Sequence, residues 1–275
     1  MKRMYLAATI ACVSAWGCEA AHAGVIVMPP PGPARVANSD VVIVGKVDAL
    51  EPQDVTVANT KYRIAVVRIN EGIKGAKAGQ KTLRIGFVPI EKPNPMVIRT
   101  GARPVQLEAG QEGLFLLKKQ ASEDFYTIGG VVGYYINSDK NKDFDKEVQA
   151  AKASAKVTEN LTGSLKAKDA EERLSAAAVL IEKYRTFRPN AKQEPIDAEE
   201  SKQILQALAG ADWQTQVNYM SLRTNPTQLF QRLGVTAKDG FVPPKGGNYQ
   251  EAIRIWLVRN ADTYRIQRFV AAQTK

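Results

Sequence analysis

Asp40-Val41-Val42-Ile43-Val44-Gly45-Lys46-Val47 is the stretch from which the fold is read. A run of β-branched residues favours a strand, because two heavy atoms on Cβ suit the pleated surface better than a helical turn. Gly45 interrupts it, which predicts a bulge or a tight bend. Outward from this run, Tyr62 to Ile69 reads as a second strand, closed by Gly72 and Gly75. Lys81 to Val88 reads as a third, with Leu83, Ile85 and Phe87 on one face and Thr82, Arg84 and Gly86 on the other. A loop held irregular by Pro89, Pro93, Pro95 and Pro104 follows. Leu114 to Lys118 is expected as the fourth strand and Phe125 to Ile136 as the fifth, bending at Gly129, Gly130 and Gly133.

Five short strands, a glycine in the first and a long connection before the fourth predict a Greek-key β-barrel of the OB type. Three segments carry a family resemblance: Ser39 to Val47, Tyr62 to Ile69 running on to Lys74-Gly75, and Gly110-Gln111-Glu112-Gly113-Leu114-Phe115-Leu116-Leu117. Together they resemble the netrin/tissue-inhibitor-of-metalloproteinases barrel, itself an OB fold. The resemblance covers residues 38–136 and implies the barrel. It does not carry over metalloprotease inhibition, since those inhibitors present an N-terminal cysteine to zinc and are braced by disulfides.

The chain starts Met1-Lys2-Arg3, runs apolar from Met4 to Trp16 and reaches Ala21-His22-Ala23. These are the three parts of a secretory signal peptide, with cleavage expected between Ala23 and Gly24. Cys18 raises a lipoprotein alternative, but Ala15 and Trp16 fit the residues that precede a lipid-modified cysteine poorly. The expected localisation is therefore periplasmic or extracellular, with no membrane span after the signal. Cys12, Cys18 and His22 are the only cysteines and histidine, and all precede Gly24. The exported chain would lack disulfides, Cys/His zinc sites, Cys nucleophiles and any His-based triad. Removing Lys2, Arg3 and Glu19 takes the net charge from +10 to about +9, which reads either as a plain solvated basic surface or as an attraction for anionic partners. Residues 24–37, with Pro29, Pro30, Pro31 and Pro33, read as an extended lead-in.

Beyond Asp143 the composition shifts to Ala, Lys, Glu and Leu. Asp169 with Glu172, Asp197 with Glu200, and Asn248 with Glu251 each mark a helix start. Behind them fall Leu174, Ala177, Ala178, Ile181 and Tyr184, then Ile204, Leu205 and Leu208 up to Gly210. Last come Ile253, Trp256, Leu257, Tyr264 and Val270. Leu165 to Leu180 is similar to one HEAT-type helical unit. The fold class expected is α+β: a five-stranded OB-like Greek-key barrel followed by an all-α C-terminal domain. The boundaries are 1–23 signal, 24–37 lead-in, 38–137 barrel, 138–160 linker and helix, and 161–275 helical domain.

An OB barrel takes ligands on its second and third strands, which here carry Arg63, Arg68 and Arg84, with Tyr62 and Tyr126 as stacking surfaces. The alternative for strand-face arginines is a solvated outer surface. Glu51 with Asp54, and Glu123 with Asp124, are the carboxylate pairs open to glycoside hydrolysis, but nothing in the sequence sets a catalytic separation. Asp139, Asn141, Asp143 and Asp145 alternate like calcium ligands, yet Phe144 occupies the position where glycine is required. Gly72 to Gly75 and Lys245-Gly246-Gly247 lack phosphate-loop spacing. No cofactor, metal site or specific nucleic-acid motif is expected. The expected function is an exported, non-catalytic binding or structural module of the cell envelope, its partner an anionic polysaccharide or an envelope protein. The alternatives are a hydrolase using a carboxylate or Ser/Lys pair, and an inhibitor of an extracellular hydrolase.

Overall fold

The structure is a computed structural model that describes residues 28–89, 105–130, 132–187 and 189–271. The segment expected as a signal, the expected Ala23–Gly24 cleavage point, Cys12, Cys18, His22, and Pro93, Pro95 and Pro104 lie outside the described residues. The chain is mixed α and β, a large sheet followed mainly by helices.

The sheet contains β1 (Val41–Leu50), β2 (Val55–Val57), β3 (Thr60–Lys74), β4 (Thr82–Phe87), β5 (Glu112–Lys119), β6 (Tyr126–Ile128) and β7 (Tyr134–Ile136). β1 pairs antiparallel with β3 along one edge and with β5 along the other. β3 pairs antiparallel with β4, β4 parallel with β6, and β6 antiparallel with β5, which also holds β7. The β1–β3 register shifts between Val42 and Ile43, between Val44 and Gly45, and between Val47 and Ala49, so β1 bends where its glycine predicted.

The continuous apolar runs of β1 and β5 have a tertiary cause: both of their faces are covered. Val41, Ile43, Val47, Phe115 and Leu117 join Ala65, Val67, Leu83, Ile85 and Phe87 in one core. Val42, Val44, Leu114 and Leu116 face the other way, onto helices α1 (Gly32–Asn38) and α2 (Phe144–Glu159), where Val36, Phe144, Val148 and Ala151 meet them.

Helix α1 corrects the last part of the extended lead-in expected for residues 24–37, from Gly32 on, while Met28 to Pro31 carry no helix. Pro33 sits in its first turn, where the missing amide would have had no partner anyway and the fixed φ is already helical. A Cβ on Gly32 would lie 2.0 Å from the Leu222 carbonyl oxygen, so the helix start packs directly on backbone. At the other end, Lys74 Nζ donates to Val36 O (2.9 Å), Ala37 O (2.6 Å) and Ser39 O (2.8 Å). A cation on the last carbonyls complements the helix dipole. Burial there pushes the Lys74 ammonium below its ordinary pKa. Gly75, at φ +68, makes the turn that aims Lys74; a Cβ on it would meet Asp40 O at 2.0 Å.

The remaining helices are α3 (Leu161–Leu165), α4 (Ala170–Arg185), α5 (Ala198–Ala209), α6 (Pro226–Leu233) and α7 (Tyr249–Asn260). Asp169 accepts Glu172 N, Asp197 accepts Glu199 N and Glu200 N, and Asn248 accepts Gln250 N and Glu251 N, as those side chains predicted. Helix α4 is buried continuously from Leu174 to Glu182, not along one stripe, because α1, α2, α5 and α6 all pack around it. Its residues join Ile204, Leu205, Phe230, Ile253, Trp256 and Leu257 in a second core. The HEAT-type stretch Leu165 to Leu180 falls on the end of α3 and most of α4.

Four further expectations need correcting. The fifth strand is two short ones, β6 and β7, because the intervening glycines leave the ladder: Gly129 N bonds Leu116 O and Gly133 O takes Leu116 N. The hairpin β2 was not foreseen; it turns through Ala58 and Asn59, both at positive φ. The C-terminal region is not all helical, since β8 (Lys192–Pro195) pairs with β9 (Gln267–Val270). The last helix stops at Asn260, leaving Tyr264 in a loop and Val270 in β9, because backbone pairing with β8 replaces helical hydrogen bonds there.

Sheet and helices are joined by a buried polar cluster. Arg35 of α1, 8% exposed, donates to Val132 O (3.2 Å), Tyr135 Oη (2.7 Å), Met220 O (3.1 Å) and Ser221 O. Tyr135 Oη donates to Met220 O (2.5 Å), and burial pushes its pKa up to about 12. Glu147 of α2 accepts Ser221 Oγ and Leu222 N, each at 2.6 Å. A buried charge is tolerated when its donors are matched, and here backbone carbonyls do most of the matching.

Candidate functional site

The basic residues foreseen on β3 and β4 are each held by an acid. Arg84 grips Glu51 in a two-point contact, Nε to Oε1 at 2.6 Å and Nη2 to Oε2 at 2.8 Å, and its Nη1 reaches Asp124 O at 3.1 Å. The guanidinium thereby ties the segment after β1 to the β5–β6 loop. The Arg84 hydrogen bond holds Glu51 below the usual carboxylate range, and Glu51 in turn raises Arg84. Asp54 takes Lys61 at 3.1 Å and Arg63 at 3.4 Å, and these partners, Lys61 first, lower its pKa. Arg68 stands 3.4 Å from Asp48.

Arg63, Arg68 and Arg84 do not share one face. Arg84 lies opposite Val66 in the register, and Val66 and Arg68 alternate away from the core-facing Ala65 and Val67. Arg63, two residues before Ala65, falls on the core side of β3 at its outer end, beside Asp54. There Leu50, Glu51, Pro52, Gln53, Asp54, Lys61 and Arg63 line an open groove of about 670 Å³.

The tyrosines lie elsewhere. Tyr62 packs against Phe125, ring centroids 5.4 Å apart. Phe125, 1% exposed, covers Gly86, whose Cβ position would be 2.5 Å from the phenyl ring. Tyr126 is partly buried against the inner core of the sheet. Glu123 lies in the β5–β6 loop with Asp124, whose carbonyl serves Arg84.

Lys61, and the roles of Glu51 and Asp54 as partners of arginines, were missed. The available signal was Val55-Thr56-Val57 before Ala58-Asn59, a short alternating run ahead of a turn residue, which marks a hairpin beside Tyr62. The Arg35–Tyr135–Glu147 cluster left no local signal, since its members lie up to 186 residues from their partners.

Elsewhere, accepted backbone N–H groups hold Asp40 and Asp197 below the usual carboxylate range, the Thr215 hydroxyl does so for Asp212, and Lys146, Arg254 and Lys202 do so for Asp143, Glu251 and Asp262. Among the described residues, no group of three or more acids is placed to hold a metal ion, and no helix is long and apolar enough to cross a membrane. No protein-family model and no curated protein matches this chain.

Proposed function

We propose that the chain is an exported, non-catalytic binding module of the cell envelope whose working surface is the groove between Glu51 and Arg63. The supporting scaffold is an OB-type Greek-key barrel similar to the netrin barrel. The order of pairing favours that reading: β1 to β3, β4, β6, β5 and back to β1, with β4 and β6 parallel. In an OB barrel the loops flanking the second and third strands receive the ligand. Here those loops are the ones Arg84 ties together.

The observation that carries the proposal is this pre-formed, charge-matched rim. At the groove Lys61 and Arg63 already hold Asp54, and Arg84 from the other face holds Glu51, so a polyanion would first have to displace two carboxylates. A protein segment bearing both signs of charge can exchange partners one for one, which favours an envelope protein.

A photo-crosslinking residue at Gln53 in the full chain tests this. One discrete crosslinked protein is expected, lost when Asp54→Lys and Arg84→Glu invert the rim. Absence of any crosslink, or salt-sensitive retention on an immobilised anionic polysaccharide that Arg84→Ala abolishes, would overturn the protein-partner reading.

A further inference from the structure

The connection between α5 and α6, residues 210–225, contains neither helix nor strand and is longer than most such loops. It is nonetheless tied down throughout. Asp212 accepts Gln214 N at 2.9 Å and Thr215 Oγ1 at 2.6 Å, and Asn218 Oδ1 accepts Met220 N at 2.9 Å. Asn225 Nδ2 donates to Val217 O at 2.5 Å, and Trp213 Nε1 to Leu208 O at 3.0 Å. The Arg35–Tyr135–Glu147 cluster holds the loop at Met220, Ser221 and Leu222. A long loop fixed by its own Asp212, Asn218 and Asn225 and by Arg35, Tyr135 and Glu147 from other elements resembles a pre-organised binding loop more than a linker.

Between it and the starts of α6 and α7 lies a pocket of about 260 Å³. Trp213, Gln216, Pro226, Thr227 and Gln250 line it, and so does Tyr219, exposed at 39%. None of the described residues lining it carries an ionised side chain, on a chain whose net charge is +10. The side-chain polar groups of Gln216, Tyr219, Thr227 and Gln250 have no hydrogen-bond partner among the described residues.

We propose that this pocket binds an uncharged saccharide unit. The chemistry follows from the lining. Amides present a donor and an acceptor side by side, and hydroxyls serve as either, which matches the vicinal hydroxyls of a sugar ring. The Tyr219 ring offers an apolar face to the C–H face of that ring while its hydroxyl stays wet. The volume lies just under the range of small-molecule sites, roughly 300–1,000 Å³, and so suits one ring of a chain more than a whole oligosaccharide. Without a charged wall, the site does not select anionic ligands. It is separate from the groove at Glu51 and does not depend on that reading.

Titration calorimetry of the full chain with glucose-, cellulose- and chitin-type hexasaccharides tests the proposal. Binding of at least one is expected, unchanged between low and high salt. It should weaken at least about tenfold in Tyr219→Ala and in Gln250→Ala, and stay unchanged in Lys166→Ala, an exposed position outside both surfaces. If Tyr219→Ala melts early, Gln216→Ala at an exposed position replaces it. Binding by none of the sugars, binding indifferent to these variants, or binding of a proline-rich peptide in place of every sugar would overturn it.

Discussion

Replacing Arg35 by Met keeps an apolar stem of similar length and removes every donor. Met220 O would still receive the Tyr135 hydroxyl, but Val132 O and Ser221 O would lose the donor that now serves them. Leaving a buried acceptor unsatisfied costs about 1–3 kcal/mol, so these two, in half-buried residues, cost at most roughly 2–6 kcal/mol. Arg35 Nε is itself buried without a partner, and its removal offsets part of that loss. The net expectation is a destabilisation of about 2–4 kcal/mol, or about 5–15 °C in Tm for a chain of this size. Thermal unfolding followed by circular dichroism measures it. Limited proteolysis supplies an independent readout, with faster cutting between Trp213 and Leu222, the segment that Arg35 fixes. An unchanged Tm together with unchanged proteolysis would refute the claim that Arg35 clamps the loop to the sheet.

The Tyr135 and Tyr184 hydroxyls, raised to about 12 chiefly by burial, predict alkaline lability. In the unfolded chain they ionise near pH 10, so between about pH 10 and 12 only the unfolded state gives up protons, and stability falls as pH rises. Tm measured across that window should drop in the wild type and drop less in Tyr135→Phe; parallel curves would count against the assignment. Gly32→Ala should unfold several degrees earlier, since its Cβ would meet the Leu222 backbone at 2.0 Å and neither chain can yield cheaply. Differential scanning calorimetry decides that case, and a Tm equal to wild type would mean that α1 does not press on the 210–225 loop as described.

Helix caps were legible because they are local. Asp169, Asp197 and Asn248 each bond amides two or three residues away, so a short window contains the whole interaction. The core-facing alternation of Leu83, Ile85 and Phe87 was legible for the same reason, and so was the bend at Gly45. The candidate groove was half legible. Arg63 and Arg84 are visible as bases on strands, whereas their neutralisation by Asp54 and Glu51 depends on where the hairpin β2 folds back.

By itself, then, the sequence determined near which residues β1, β3, β4, β5, α4, α5 and α7 begin, and that residues 24–275 contain no cysteine and no histidine to act with. Only the tertiary structure decided which faces of those elements are covered. Val41 to Val44 reads the same whether one face of the strand is buried or both, and it took α1 and α2 to bury the second. The end of the proline-bearing lead-in, from Gly32, became a helix because Lys74 caps it from β3 and α4 packs against it. Phe125 to Ile136 broke in two because β5 could satisfy its glycine backbone without a ladder. Each of these outcomes turns on groups far apart in the chain competing for the same backbone partners, and the distance between them is set only once the fold has formed.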